Sequence, residues 1–211
     1  MPPDLRKIYD GFAETYEASR GRFDMTGVLA PFFCALPSRP GHLLDLGCGA
    51  GEPFPRFFLE HGWDVTGVDV SPRMLELAAR YAPRMQTLCA DLADVDFPPA
   101  AFDAVTCIYA LFHVPRARHP GLFAHFTRWL RPGGKTLFTY ATRDYTGRDE
   151  FEGTKEFMGQ SLFYSHTTPD NLRAQLETAG LRPEAFDYRD IGGETFLWVT
   201  ASKPCPSGPL R

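Results

Sequence analysis

The spacing of apolar positions changes several times along the chain, and each change marks an element. Residues 2–36 carry Tyr9, Phe12 and Tyr16 three and four apart, which predicts a helical segment with one apolar face. Pro37-Ser-Arg-Pro-Gly41 interrupts it. His42–Leu46 is a short apolar run and predicts a buried strand. Pro53–Gly62 predicts a helix with Phe54, Phe57 and Phe58 inward, and Asp64–Val70 a second strand. Ser71 then Pro72 are an N-cap and a first helical residue, opening a helix through Tyr81. Arg84–Ala90 and Phe102–Ala110 predict strands three and four. Arg116–Leu130 predicts a helix ended by Pro132-Gly133-Gly134, and Lys135–Ala141 a fifth strand.

Strand alternating with helix implies a mostly parallel sheet covered on both faces, with right-handed crossovers. After Ala141 the rhythm lapses. Residues 142–167 are polar, aromatic and irregular, a length that a connecting loop reaches only when it has a function. A helix from Thr168 to Ala179-Gly180 and strands near Glu184–Arg189 and Thr195–Ala201 complete the pattern. The expected organisation is one domain over 1–203, with a helical cover (1–36), a lid-like insert (142–167) and a disordered Pro-rich tail (204–211).

Composition narrows the function classes. With 211 residues and 44% apolar positions, the chain suits one α/β domain. A net charge of −4 argues against nucleic acid as the main partner, because phosphate binding wants a basic face. The five cysteines form no C-x-x-C pair, so no disulfide framework or structural zinc is expected, and a reducing cytoplasm suits them. No apolar run reaches 18 residues and no leader-like segment opens the sequence; the expectation is a cytoplasmic protein without a membrane partner.

The chemistry begins at Gly47-Cys48-Gly49-Ala50-Gly51, directly after Leu43-Leu44-Asp45-Leu46. Glycines let the backbone turn tightly and touch a ligand. The dinucleotide fingerprint G-x-G-x-x-G fails at its last position, which is Glu52. A glutamate there would repel a pyrophosphate and suit a ligand carrying positive charge. Asp69, at the end of the second strand, can accept hydrogen bonds from both hydroxyls of a ribose.

Leu43-Leu-Asp-Leu-Gly-Cys-Gly-Ala-Gly51 and Val65-Thr-Gly-Val-Asp-Val-Ser-Pro72 resemble the class I S-adenosylmethionine-dependent methyltransferases. Cys89-Ala-Asp-Leu92, Phe102-Asp-Ala-Val-Thr-Cys-Ile-Tyr109 and Leu130-Arg-Pro-Gly-Gly-Lys135 extend the resemblance in order, over about residues 5–203. It implies a Rossmann-like, doubly wound α/β fold. Its seven strands run in the order 3-2-1-4-5-7-6 with strand 7 antiparallel. It also implies S-adenosylmethionine as cofactor and S-adenosylhomocysteine as product. Gly47, Cys48 and Gly49 would meet the methionine portion, and Asp45 would support the loop and the ammonium end. Asp69 would hold the ribose, Val70 would pack on adenine, Asp91 and the Leu92 amide would meet the ring, and Ile108 would lie beside the methyl group. Asp91 has a plainer alternative as the cap of a turn.

Methyl transfer from a sulfonium is an in-line displacement that depends mostly on positioning, and a base is needed only if the acceptor must lose a proton. Acceptor contacts are expected from three segments: Tyr9, Phe12, Tyr16 and Arg20 of the N-terminal helix; Tyr109 and Phe112 after strand four; Phe163 and Tyr164 of the insert. Tyr9-Asp10-x-x-Ala13-x-x-Tyr16 resembles the N-terminal cover of many small-molecule methyltransferases, and the insert with Gly193-Glu-Thr-Phe-Leu-Trp-Val199 resembles a bacterial branch of that family. His113 and His166 are the candidate bases, because histidine titrates near neutrality. His113, His119 and His125 recur every six residues, a spacing that suits no helical metal motif, so no metal is expected. The leading expectation is a methyltransferase with a small-molecule acceptor. A protein or RNA methyltransferase and a cofactor-binding module without catalysis stand as alternatives. The acceptor atom and the choice of monomer or homodimer stay open.

Overall fold

The computed structural model describes residues 4–19, 24–36 and 40–206, with the side chains of 16–19 excepted. Two helices, α1 (Leu5–Ser19) and α2 (Thr26–Cys34), replace the continuous segment expected over 2–36. Then come β1 (His42–Leu46), α3 (Phe54–Glu60), β2 (Asp64–Asp69), α4 (Pro72–Tyr81), β3 (Gln86–Cys89) and β4 (Phe102–Cys107). Two 3-10 turns, Leu111–His113 and Arg116–Arg118, lead into α5 (His119–Trp129) and β5 (Leu130–Tyr140). The rest is α6 (Arg143–Thr146), β6 (Phe151–Phe157), β7 (Gln160–His166), α7 (Pro169–Thr178), β8 (Arg182–Ile191) and β9 (Glu194–Ser202).

The main sheet has seven strands in the order β3-β2-β1-β4-β5-β9-β8. Its first five strands are parallel, and β9 runs antiparallel between β5 and β8. This is the expected order, with the last two strands renumbered because β6 and β7 intervene. Successive residues of β1 enter different cores. Leu44 and Leu46 pack with Phe123, Phe126, Trp129 and Phe138. Leu43 packs with Phe58, Trp63, Val65 and Leu137 on the other face. Burial on both faces keeps the central strands rich in apolar residues, with Asp45, Asp103 and Thr106 buried among them. Ser71 caps α4 by accepting from the Met74 amide, and Thr168 caps α7 by accepting from Asn171.

The insert is regular where irregular chain is expected. β6 and β7 form an antiparallel hairpin in register from Phe151↔His166 to Phe157↔Gln160. Met158 and Gly159 both take positive φ (50° and 74°) and close it in two residues. The half-buried row of β6 is Phe151, Gly153, Lys155 and Phe157. Gly153 and Lys155 in that row mask the period-two signal. Pro132-Gly133-Gly134 does not separate α5 from β5 but lies within the strand, and the pairing with β4 slips there, between Phe102↔Leu130 and Ala104↔Lys135. A Cβ on Gly134 would lie 2.9 Å from the carbonyl oxygens of Arg131 and Asp103, so glycine permits this close approach.

Candidate functional site

A cavity of about 490 Å³ lies at the carboxyl ends of β1, β2 and β4, the usual ligand position of an open parallel sheet. Gly47, Gly49, Asp69, Val70, Asp91, Leu92 and Ile108 line one part of it. The Val68 carbonyl accepts from the amides of both Gly47 (2.7 Å) and Cys48 (3.0 Å), which pins the turn to the neighbouring strand. Gly47 has φ +75°, and a Cβ there would lie 2.4 Å from the Ala110 Cβ. Gly49 has φ +51° and no comparable obstruction. Both conformations favour glycine.

Asp69 is buried, and its two oxygens accept from the Gly49 amide (2.8 Å) and the Ser71 amide (2.9 Å). Burial raises its pKa, against the lowering effect of those amides. Its unused lone pairs are the ones available to a ligand. Asp45 is placed differently from the sequence-based expectation. It lies buried behind the cavity wall, not among its lining residues, and accepts from Thr106 Oγ1 at 2.5 Å. Burial pushes its carboxyl up to about 7. Asp91 does line the cavity, and its Oδ1 also accepts from the Ala93 amide at 2.8 Å, so the turn cap and the wall position coexist. Glu52 lines the rim, with an ion pair to Arg56 at 2.8 Å.

Another part of the lining comes from elements far apart in sequence. Tyr9, Tyr109, His113 and Phe163 line it. Tyr9 Oη lies 2.9 Å from His113 Nε2, and His113 Nδ1 lies 2.6 Å from the Phe163 carbonyl oxygen. Burial pushes His113 down to about 4 and raises the Tyr9 phenol. α1 is anchored by Asp10, which accepts from Ser71 Oγ (2.6 Å) and the Arg73 amide (3.3 Å) at the start of α4. Tyr109 takes φ +55°, with its amide donating to Thr139 Oγ1 at 2.6 Å. This left-handed residue turns the chain out of β4 earlier than the expected end at Ala110.

Other expected contacts lie behind this wall. Phe112 is stacked between Tyr164 (5.2 Å between centroids) and Phe196 (5.0 Å), in the core under the hairpin. Tyr164 is buried there and accepts from Tyr145 Oη at 3.2 Å. His166 is not brought to the cavity. It is fully buried, 2.7 Å from Thr146 Oγ1 and stacked on Phe151, where it joins the hairpin to α6. Its burial lowers its pKa. The Tyr16 side chain and Arg20 lie outside the described residues. Sequence reasoning misses Asp4, Arg6, Met74 and Arg118, all of which line the cavity. Arg6 and Met74 carry a legible signal, since each lies within a few residues of Tyr9 or Ser71. Arg118 carries none, because only the packing of its 3-10 turn brings it to the Ala93 carbonyl and Asp94.

Residues 43–134 match the family model of a methyltransferase domain. A 27-O-demethylrifamycin SV methyltransferase from Amycolatopsis mediterranei (strain S699) is 32% identical over 160 residues, which are 71% of this chain and 57% of that protein. A ubiquinone biosynthesis O-methyltransferase from Coxiella burnetii is 32% identical over 108 residues, 49% of this chain and 45% of that protein. The chain thus spans about half the length of these curated relatives. A 1,6-didemethyltoxoflavin-N1-methyltransferase from Burkholderia thailandensis has been solved with 1,6-didemethyltoxoflavin and S-adenosylhomocysteine. It superposes with a TM-score of 0.64 at 24% identity, over 97% of this chain and 92% of that one. Likeness at that identity speaks for the fold.

Proposed function

We propose that this chain, which carries a methyltransferase domain on the Rossmann-like fold of the class I S-adenosylmethionine-dependent methyltransferases, transfers a methyl group from S-adenosylmethionine to a small molecule. The observation that carries the reading is one cavity with two unlike walls. One wall is glycine backbone and carboxylate, the other aromatic.

The residues present fit the cofactor. A Cβ built on Gly49 meets no described residue beyond its chain neighbours within 4 Å, so bare backbone faces the cavity. Asp4, Glu52, Asp69 and Asp91 outnumber Arg6 and Arg118 around it, which favours a ligand with cationic groups and no phosphate. When bound, S-adenosylmethionine supplies an electrophilic methyl group on a sulfonium. Gly47, Cys48 and Gly49 hold the methionine end and Asp69 the ribose hydroxyls. Val70, Asp91 and Leu92 take the adenine, and Ile108 lies towards the reacting centre. Asp45 acts from behind, by fixing the β1 end through Thr106. Tyr9, Tyr109 and Phe163 hold the acceptor in line for attack, and such positioning is worth roughly 7–11 kcal/mol of barrier.

A small acceptor is favoured over a protein or RNA because α1 and the β6–β7 hairpin pack over the site. α1 is tied down through Asp10 and Ser71, and the hairpin through Phe163 and His113. S-adenosylhomocysteine is expected to raise the melting temperature, by about 2.7 kcal/mol of stability at a hundredfold excess over Kd, and NAD to leave it unchanged. No shift with S-adenosylhomocysteine sinks the cofactor assignment. Turnover of labelled cofactor across phenols, alcohols, amines and thiols separates an enzyme from a binding module. Labelling of protein or RNA alone would move the acceptor to a macromolecule.

A further inference from the structure

The Phe163 carbonyl oxygen has no proton to give, so His113 Nδ1, 2.6 Å away, carries the hydrogen of that bond. The ring is buried, which favours the neutral imidazole and outweighs the Phe163 hydrogen bond that favours the charged form. Nε2 is therefore bare. Tyr9 Oη, 2.9 Å from it, gives its one proton to the histidine. The phenol oxygen then has only lone pairs to offer the cavity. A tyrosine, normally both donor and acceptor, is held here as an acceptor.

We propose that Tyr9 recognises the methyl acceptor through this lone pair, selecting a phenolic hydroxyl that still carries its proton, and relays that proton to His113. The proposal rests on the methyl-transfer reading. The acceptor's oxygen forms the bond to the methyl carbon as the carbon–sulfur bond breaks with its electron pair going to sulfur. The acceptor's proton moves to Tyr9 Oη, and the Tyr9 proton moves to His113 Nε2. The positive charge lost from sulfur is thus balanced by one gained on the imidazole. A further observation favours a phenol over an aliphatic alcohol. Tyr109 and Phe163 give the cavity aromatic walls.

The test uses the full chain saturated with S-adenosylhomocysteine and three probes: phenol, its methyl ether anisole, and cyclohexanol. Phenol is expected to bind at least tenfold more tightly than either of the others. Tyr9→Phe is expected to bring phenol and anisole within twofold of each other while the affinity for S-adenosylhomocysteine stays within twofold. Nitrogen-15 spectra of the ligand-free protein at neutral pH are expected to show His113 with a protonated Nδ1 and a bare Nε2, and Tyr9→Phe to perturb the Nε2 signal. A proton on Nε2, equal binding of phenol and anisole, failure of phenol to bind, or a phenol preference that survives Tyr9→Phe would overturn the proposal. Failure of the wild type to bind S-adenosylhomocysteine would instead overturn the methyl-transfer reading, and the tautomer measurement is independent of that result. With a phenol that turns over, Tyr9→Phe is expected to lower kcat at least tenfold with the cofactor KM unchanged.

Discussion

The two walls of the cavity are built in different ways. The wall proposed for the cofactor comes from one run of the chain, residues 47–108: the glycine turn after β1 and the ends of β2, β3 and β4 supply it. The wall proposed for the acceptor joins Tyr9, His113 and Phe163 across separations of 104 and 50 residues. The first tolerates little change because its atoms are the chain itself. The second can be altered one side chain at a time while the sheet stands. The buried titratable groups differ in the same way. Burial lifts Asp45 on one side and depresses His113 on the other.

The largest effect is expected from Gly47→Ala. The side chain would need a left-handed backbone and would strike the Ala110 Cβ. A loss of about 3 kcal/mol or more, of order 10 °C in Tm, should accompany loss of S-adenosylhomocysteine binding in calorimetry. A mild phenotype would show that the local wall is less rigid than its geometry says. Asp69→Asn keeps one oxygen to accept from a backbone amide and should weaken S-adenosylhomocysteine at least tenfold, about 1.4 kcal/mol, in the same titration. Unchanged affinity would remove Asp69 from the ribose role.

Asp45→Asn tests the opposed titrations. The folded-state pKa of Asp45 is raised from 3.8 to about 7, so its contribution to stability is present below pH 3.8 and lost as pH rises through 7. For His113 it is lowered from 6.5 to about 4, so its contribution is present above pH 6.5 and lost as pH falls towards 4. In the wild type the two partly cancel across that window. The asparagine should be more stable than wild type by on the order of 2 kcal/mol at pH 8, with the gain gone by pH 4, and its melting temperature should fall more steeply on acidification. Equal pH dependence in denaturant unfolding would refute the opposition. The smallest effect on turnover is expected from His166→Asn, which removes the bond to Thr146 and the stack on Phe151 at a cost of about 2–3 kcal/mol of stability. The pH profile of turnover should be unchanged, and a shifted profile would return His166 to the chemistry.

By itself the sequence determined the repeated strand and helix periods, the capped start of α4, the glycine turn and the acids that end β2 and follow β3. These are short-range features: a buried strand needs an apolar run, and a tight turn needs glycine within a few residues. The family motifs added the strand order. Tertiary structure decided that residues 151–166 pair as a hairpin, because Gly153 and Lys155 hide its alternation and only Phe112, Phe196 and their neighbours give it a core. It also separated the two candidate histidines. His113 reaches the cavity because α1 and β7 close on it, whereas His166, at the far end of β7, turns into the protein. A β-strand sends adjacent side chains to opposite faces, so which face meets the ligand is set by what packs against the strand.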